Sequence, residues 1–442
     1  MKKILSVLCV LTVAAALFTG CSKKGGAKGP VTVNLWSFTD EIPGMVEKYI
    51  ADHPDCGFTV NMTIIATTEG AYQPALDQAL MAGGADAPDM YAAEAAFILK
   101  YSQGDMQQYA MPYKDLGIDI DNAIKAAEIA PYTVDIGSNT SGQVDALGYQ
   151  TTGGCFIYRR DLAKKVFGTD DPKAVNDIIG GGSNSWAKFN DAAAKLAAAG
   201  VAIVSGDGDI WHAYENSSDK GWIVDGKLYI DPKREAFIDA SKELTDKGWS
   251  NQTQDWTDAW FADMKDAGAK PCFGFFGPAW LINYVLAGNS GDTYGNWAVC
   301  NSPIGFFWGG TWVLANKNLP AAKKNAVKTL IEWITLDYSN DGLLYKWANG
   351  TLNGEGGTKD TVSSGVVMAK SNGELEFLGG QNMFDYFVPA NKYANGKNLT
   401  QYDETINSLW REQVRAYANG QKSRAEAIAD FKTNVADKLG IE

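Results

Sequence analysis

Between Val31 and Glu94 the hydrophobic pattern switches between strand and helix periods at every element, and this alternation restricts the fold more than any other feature. Val31–Phe38 (VTVNLWSF) alternates and is rich in β-formers, which predicts a strand. Ile42–Ala51 sets Ile42, Met45, Val46, Tyr49 and Ile50 on one helical face. Phe58–Ile65 alternates again through Phe58, Val60, Met62 and Ile64. Tyr72, Leu76, Ala79 and Leu80 share one side of a second helix that stops at Gly83-Gly84, and Asp89–Ala92 reads as a third strand. A β-α-β-α-β order calls for parallel strands joined by right-handed crossovers. In such sheets ligands gather outside the carboxyl ends of the strands. The residues at those ends are Trp36, Phe38, Asp40 and Glu41, then Thr67, Thr68 and Glu69, then Glu94.

Gln143–Arg159 reads as two extended pieces separated by a glycine break, and a helix-rich stretch follows. Ser185 is placed to cap a helix over Trp186–Ala199. Val201–Val204 is a short apolar strand that leads into Ser205–Trp211. Asp225-Gly226 inside Ile223–Ile230 is a hairpin signal. Helices are expected over Pro232–Lys247 and Asp255–Asp266. A buried strand over Pro271–Phe276 ends in Gly277-Pro278-Ala279-Trp280, and another strand spans Thr311–Ala315. A helix runs from Pro320 to Leu336, and two amphipathic helices, Thr400–Ala418 and Arg424–Leu439, close the chain.

A chain of 442 residues exceeds what one hydrophobic core supports and suits two domains. Its first residues are of another kind. Lys2 and Lys3 precede an apolar run from Ile4 to Phe18, and small residues then lead to Cys21, which is the layout of a secretory signal over residues 1–20. The Thr19-Gly20-Cys21 exit resembles a bacterial lipobox, which implies that the Cys21 thiol carries a lipid. The usual Leu three places before the cysteine is replaced by Phe18. Residues 21–30 (CSKKGGAKGP) are glycine-rich and basic, a flexible tether with nothing to bury. After Pro30 no apolar run is long enough to span a bilayer. The formal charge of −13 becomes more negative once Lys2 and Lys3 are removed, so the body repels phosphate backbones and nucleic acid is excluded as a partner.

Cys56, Cys155, Cys272 and Cys300 remain besides Cys9 and Cys21. They form no C-x-x-C pair, and buried free thiols and disulfides both stay open. His53 and His212 are the only histidines and have no ligand spacing, so no metal or cofactor is expected. His53 reads as a helix-end residue. Asp207-Gly208-Asp209 lacks the remaining ligands of a calcium loop. The nucleophile elbow and the phosphate-binding loop are both missing from the sequence.

A series of segments in fixed order carries a family resemblance over nearly the whole mature chain. These are Leu35-Trp36-Ser37-Phe38 after the first strand, Gly142–Tyr149, Phe156–Leu162, Ser185-Trp186-Ala187-Lys188-Phe189, Phe276-Gly277-Pro278-Ala279-Trp280 and Gly309-Gly310-Thr311-Trp312 before a long helix. In this order they resemble the extracellular solute-binding proteins (family 1) of bacterial ABC importers, in the carbohydrate-binding group that includes maltose-binding protein. Tyr149-Gln150 stands where the family's hairpin has a proline. The resemblance implies an α/β fold of two lobes with parallel or mixed sheets: residues 31–149 with 303–337, and residues 150–302 with 338–442. Hinges would lie near Tyr149–Thr152, Cys300–Pro303 and Leu336–Asn340. It further implies a monomeric binder, not an enzyme, that closes on a sugar and hands it to importer permease subunits at the outer face of a membrane.

A sugar presents hydroxyls, which carboxylates and amides grip, and an apolar face, which flat aromatic rings cover. By position, the expected ligand residues are Trp36, Asp40, Glu41, Glu69, Glu94, Gln150, Thr152, Asp209, Trp211, Trp280, Trp308 and Trp312. Trp186, Trp333 and Trp410 lie on amphipathic helices and read as packing residues. Two alternatives stand beside the sugar binder. A surface glycoside hydrolase would need two carboxylates across the scissile bond. A binder of another solute, a polyamine or a peptide, would use the same acidic residues.

Overall fold

The computed structural model describes residues 30–67, 70–354 and 356–441. The expected signal peptide, Cys21 and Glu69 lie outside these residues. Among the described residues the chain forms ten strands: β1 Val31–Ser37, β2 Phe58–Ile64, β3 Met90–Glu94, β4 Ala146–Gly148, β5 Cys155–Arg159, β6 Ile223–Val224, β7 Lys227–Leu228, β8 Gly274–Gly277, β9 Trp297–Asn301 and β10 Thr311–Ala315. The first sheet has the order β2-β1-β3-β10-β4. β1 runs parallel to β2 and β3, as the alternating pattern requires, while β10 inserts antiparallel between β3 and β4. Central β1 is buried on both faces. Its buried Asn34 is satisfied by Asp89 (2.7 Å from Asn34 N) and by the Ala85 carbonyl, to which its amide donates at 2.7 Å.

The second sheet, β8-β5-β9, is wholly antiparallel. Val201–Val204, expected as a strand, makes only single bridges, Ala202 to Cys272 and Val204 to Ser250. The Asp225-Gly226 turn joins β6 and β7 as its sequence predicts, with φ of 53° and 78°. Helices Pro232–Asp246, Asp403–Ala418 and Arg424–Leu439 pack together on this half. Ser423 and Glu426 form a reciprocal capping box at the start of the last helix. Cys56, Cys155, Cys272 and Cys300 are free thiols, and all but Cys56 are buried.

A narrow ribbon joins the two halves. Residues 149–154, between β4 and β5, are flanked on one side by residues 361–363 and on the other by residues 306–308. Ser363 N donates to Tyr149 O (2.9 Å), Thr361 Oγ1 to Thr151 O (2.6 Å), Trp308 N to Thr152 O (3.1 Å) and Gly154 N to Phe306 O (2.8 Å). Of the stretches expected as hinges, Tyr149–Thr152 lies in this ribbon, Cys300–Pro303 precedes its 306–308 edge, and Leu336–Asn340 is not part of it. The chain remains on the first half past Leu336–Asn340, because Leu343–Asn349 is an amphipathic helix whose Leu343, Leu344 and Ala348 pack in the same core as Leu330, Ile331 and Ile334. The chain reaches the ribbon at Asp360–Ser363 and then returns to the first half, where Gly365–Met368 packs on the Leu343–Asn349 helix. Ala394 and Leu399 also lie against the first half's core.

Candidate functional site

β3 ends at Glu94, which pairs with Thr311 at the start of β10. The segment before β10, Phe307-Trp308-Gly309-Gly310, therefore lies beside Glu94. Gly309 (φ +74°) and Gly310 (φ +111°) both occupy the left-handed region. A Cβ at Gly309 would stand 3.3 Å from Trp280 Nε1 and 3.4 Å from Glu94 Oε1, so these two side chains close on the same glycine. Trp280 comes from the other half. It follows β8, and its Nε1 donates to the Trp308 carbonyl at 3.0 Å.

The Gly208–Asn216 helix brings His212 over Trp308, with ring centroids 4.6 Å apart and planes 24° apart. Trp280 meets Trp308 edge to face at 4.8 Å, and Trp256 lies nearly parallel to Trp280 at 6.3 Å. Next to this aromatic group is a cavity of about 110 Å³ that opens to solvent. Glu94, His212, Glu215, Trp308, Asp403 and Glu404 are among the residues around it.

The cavity is acidic, and among the described residues no lysine or arginine lines it. Burial pushes Glu94 up to about 7, and the carboxylates of Glu404 and Glu215 add to the shift, although Glu94 Oε2 accepts from Ala96 N at 2.7 Å. Burial also raises Glu215, but His212 (Nδ1 to Oε2, 2.9 Å), Arg234 and Asn407 outweigh it and hold this carboxylate below its ordinary range. Burial raises Asp403 to about 7; one of its oxygens accepts from Thr400 Oγ1 at 2.6 Å, while Oδ2 has no protein partner. Glu404 reaches across to the first half and accepts from Gln73 Nε2 at 2.7 Å. The cavity is lined by hydrogen-bond acceptors and by the Trp308 indole, with Trp280 and Trp256 packed beside that ring.

A family model for bacterial extracellular solute-binding proteins matches residues 44–353. The chain belongs to this family. Solved structures share its fold. An extracellular solute-binding protein of family 1 superposes with a TM-score of 0.71 at 19% identity, covering 92% of this chain and 99% of that one. The galacto-N-biose-/lacto-N-biose I-binding protein of the ABC transporter from Bifidobacterium longum gives 0.66 at 17%, covering 94% and 98%. The sugar-binding protein MalE from Xanthomonas citri gives 0.67 at 16%, covering 93% and 98%. No curated protein matches the chain by sequence. Among the described residues no helix is long and apolar enough to cross a membrane.

On this solute-binding-protein framework the expected site residues separate into three groups. Glu94, Trp280 and Trp308 come together at the junction of the halves. Trp36 is half-buried and packs beside Phe38 on the first core, and Asp40 is exposed and makes no capping bond at the helix it precedes. Glu41 accepts from the Tyr149 hydroxyl and sits near Asp360. Gln150 and Thr152 are buried in the ribbon, with Gln150 Nε2 on Asp360 at 2.9 Å and Thr152 Oγ1 on the Gly309 carbonyl at 2.9 Å.

The remaining three belong to cores. Asp209 accepts from Ser205 N (2.9 Å), Gly206 N (3.0 Å) and Trp260 Nε1 (3.3 Å), and burial pushes it up to about 8. Trp211 is 1% exposed and packs on Phe237. Trp312 is fully buried, with Nε1 on Thr133 O at 2.8 Å. Inward-facing strand and helix positions took these rings into the cores and away from the cavity. His212, Glu215, Asp403, Glu404 and Trp256 were not anticipated. Only the amphipathic pattern of the Asp403–Ala418 helix could have pointed to any of them.

Proposed function

We propose that this solute-binding protein captures a carbohydrate between its two halves and delivers it to the permease subunits of an ABC importer. The observation that carries the reading is the meeting of half-buried Trp280, from the second half, with Trp308 at the edge of the ribbon, beside the Glu94 carboxyl. Indole faces cover the C–H face of a pyranose, and uncharged or charged carboxyls accept or share its hydroxyl protons. The sugars named for similarly folded proteins support this choice.

The lobes in this reading are residues 31–149 with 303–337 and 343–371, and residues 150–302 with the chain after 371. They turn about the ribbon, because only a closed state makes both sets of contacts. The working unit is a monomer, exported by residues 1–20 and tethered through a lipid on Cys21. The variant Cys21→Ser is expected to leave the detergent phase for the aqueous phase; continued detergent partitioning would refute the anchor.

A thermal-shift screen over sugars tests the binding reading, since a ligand that binds only the native state raises the melting point. A saccharide that raises it, and that titrates one-to-one without turnover, is the expected result. Hydrolysis of the saccharide would replace the binder with a glycosidase. A second reading rests on the acidic lining without lysine or arginine: a cationic solute such as a polyamine. A melting point that responds to polyamines and to no sugar would favour it.

A further inference from the structure

Trp256 is a bulky residue in a backbone conformation that side chains rarely adopt, with φ of +65°. Its indole is also exposed, at 47%. The inner part of the ring packs on Trp260, with centroids 5.5 Å apart, and the rest faces solvent, so a strained backbone holds an indole that is only half covered. The flanking residues impose the strain. Asp255 is held by both Arg411 and Arg415. On the other side Thr257 caps the Asp258–Asp263 helix through Trp260 N, at 3.4 Å. Gln252, in the same loop, is also left-handed (φ +58°).

The ring held in this way adds to the indoles of the site. It lies 11° from parallel with Trp280 at 6.3 Å and meets Trp308 edge to face at 6.1 Å. Three indoles thus form one cluster, with Trp256 the most exposed. One pyranose face covers about one indole face. A cluster of this extent, with its outermost ring fixed at a cost in backbone strain, suits a ligand of more than one sugar ring.

We propose that Trp256 is a specificity-determining residue that stacks on a second sugar unit, so that the site selects oligosaccharides over monosaccharides. This rests on the carbohydrate reading above. The test is calorimetric titration with mono-, di- and trisaccharides of glucose, galactose, mannose and xylose, on the wild type and on Trp256→Gly and Trp256→Tyr. The wild type is expected to bind its preferred di- or trisaccharide about tenfold or more tighter than the matching monosaccharide. Trp256→Gly, which relaxes the backbone, should melt no lower than wild type and should erase that gain, leaving monosaccharide affinity within about twofold. Trp256→Tyr should restore part of it.

Equal wild-type affinity for monomer and oligomer, or an equal loss on both in Trp256→Gly, would overturn the proposal and leave the carbohydrate reading standing. If no saccharide in the series binds the wild type, the carbohydrate reading itself falls, and this proposal with it.

Discussion

His212 lies flat on Trp308, 4.6 Å between centroids, while its Nδ1 stands 2.9 Å from Glu215 Oε2. One imidazole therefore fixes an indole plane and partners a buried carboxylate. The variant His212→Ala removes both functions. Glu215 then loses one of the groups that hold it below the ordinary carboxylate range, and the Trp308 ring is freed. Sugar affinity by calorimetry is expected to fall roughly tenfold, about 1.4 kcal/mol. Unchanged affinity in a folded variant would remove His212 from the site.

Gly309 separates Trp280 from Glu94 by the width of a missing side chain. The variant Gly309→Ala meets two costs. The left-handed backbone costs an L-residue about 1 kcal/mol, and the new methyl presses on Trp280 Nε1 and Glu94 Oε1. Chemical denaturation should register the first cost and titration the second. Binding is expected to weaken by about tenfold, more than the stability loss alone accounts for. Full affinity would mean that the Glu94–Trp280 spacing does not matter to the ligand.

The first half of the fold was legible because periodicity is a local signal. Val31–Ser37 and Phe58–Ile64 alternate, Met90–Glu94 is a short apolar run, and the helices between them carry apolar faces. The switch-point rule then placed Glu94 among eight strand-end residues from strand order alone. Long-range placement was not legible. Nothing local distinguishes Trp280, which emerges at a strand end into the junction, from Trp312, which points inward one residue into β10. Leu343–Asn349 is too short for its period to stand out in the sequence. His212 and Glu404 reach the cavity only because the Gly208–Asn216 and Asp403–Ala418 helices converge there, an arrangement fixed by tertiary packing.

The tryptophans divide experimentally along the same line. The variants Trp211→Ala and Trp312→Ala open cavities in well-packed cores and should each cost about 3–5 kcal/mol in urea unfolding. The half-buried Trp280 leaves a smaller void. Trp280→Ala should cost less stability yet weaken sugar binding by about tenfold or more. A Trp312→Ala protein that is as stable as wild type but fails to bind would move Trp312 from the core to the site.

Glu41 and Asp360 give the protein a definite pH response. Burial pushes Glu41 from its ordinary 4.5 up to about 8, with Asp360 and Asp40 adding to the shift. Burial pushes Asp360 from 3.8 up to about 7, against the bonds from Gln150 and Thr361. Both native-state values lie above the unfolded ones, so folding favours the protonated forms. The stability they contribute is complete below about pH 4, declines as pH rises through the window and is gone above about pH 8. The melting temperature should therefore fall between pH 5 and pH 8. The variant Glu41→Gln keeps an acceptor for the Tyr149 hydroxyl but cannot ionise. It should match wild type near pH 4 and exceed it at pH 8 by on the order of a few kcal/mol. Glu94, Asp209 and Asp403, also raised by burial, keep part of the slope in the variant. A Glu41→Gln protein destabilised equally at both pH values would show that Glu41 is charged throughout and that its bond to Tyr149 needs the full carboxylate.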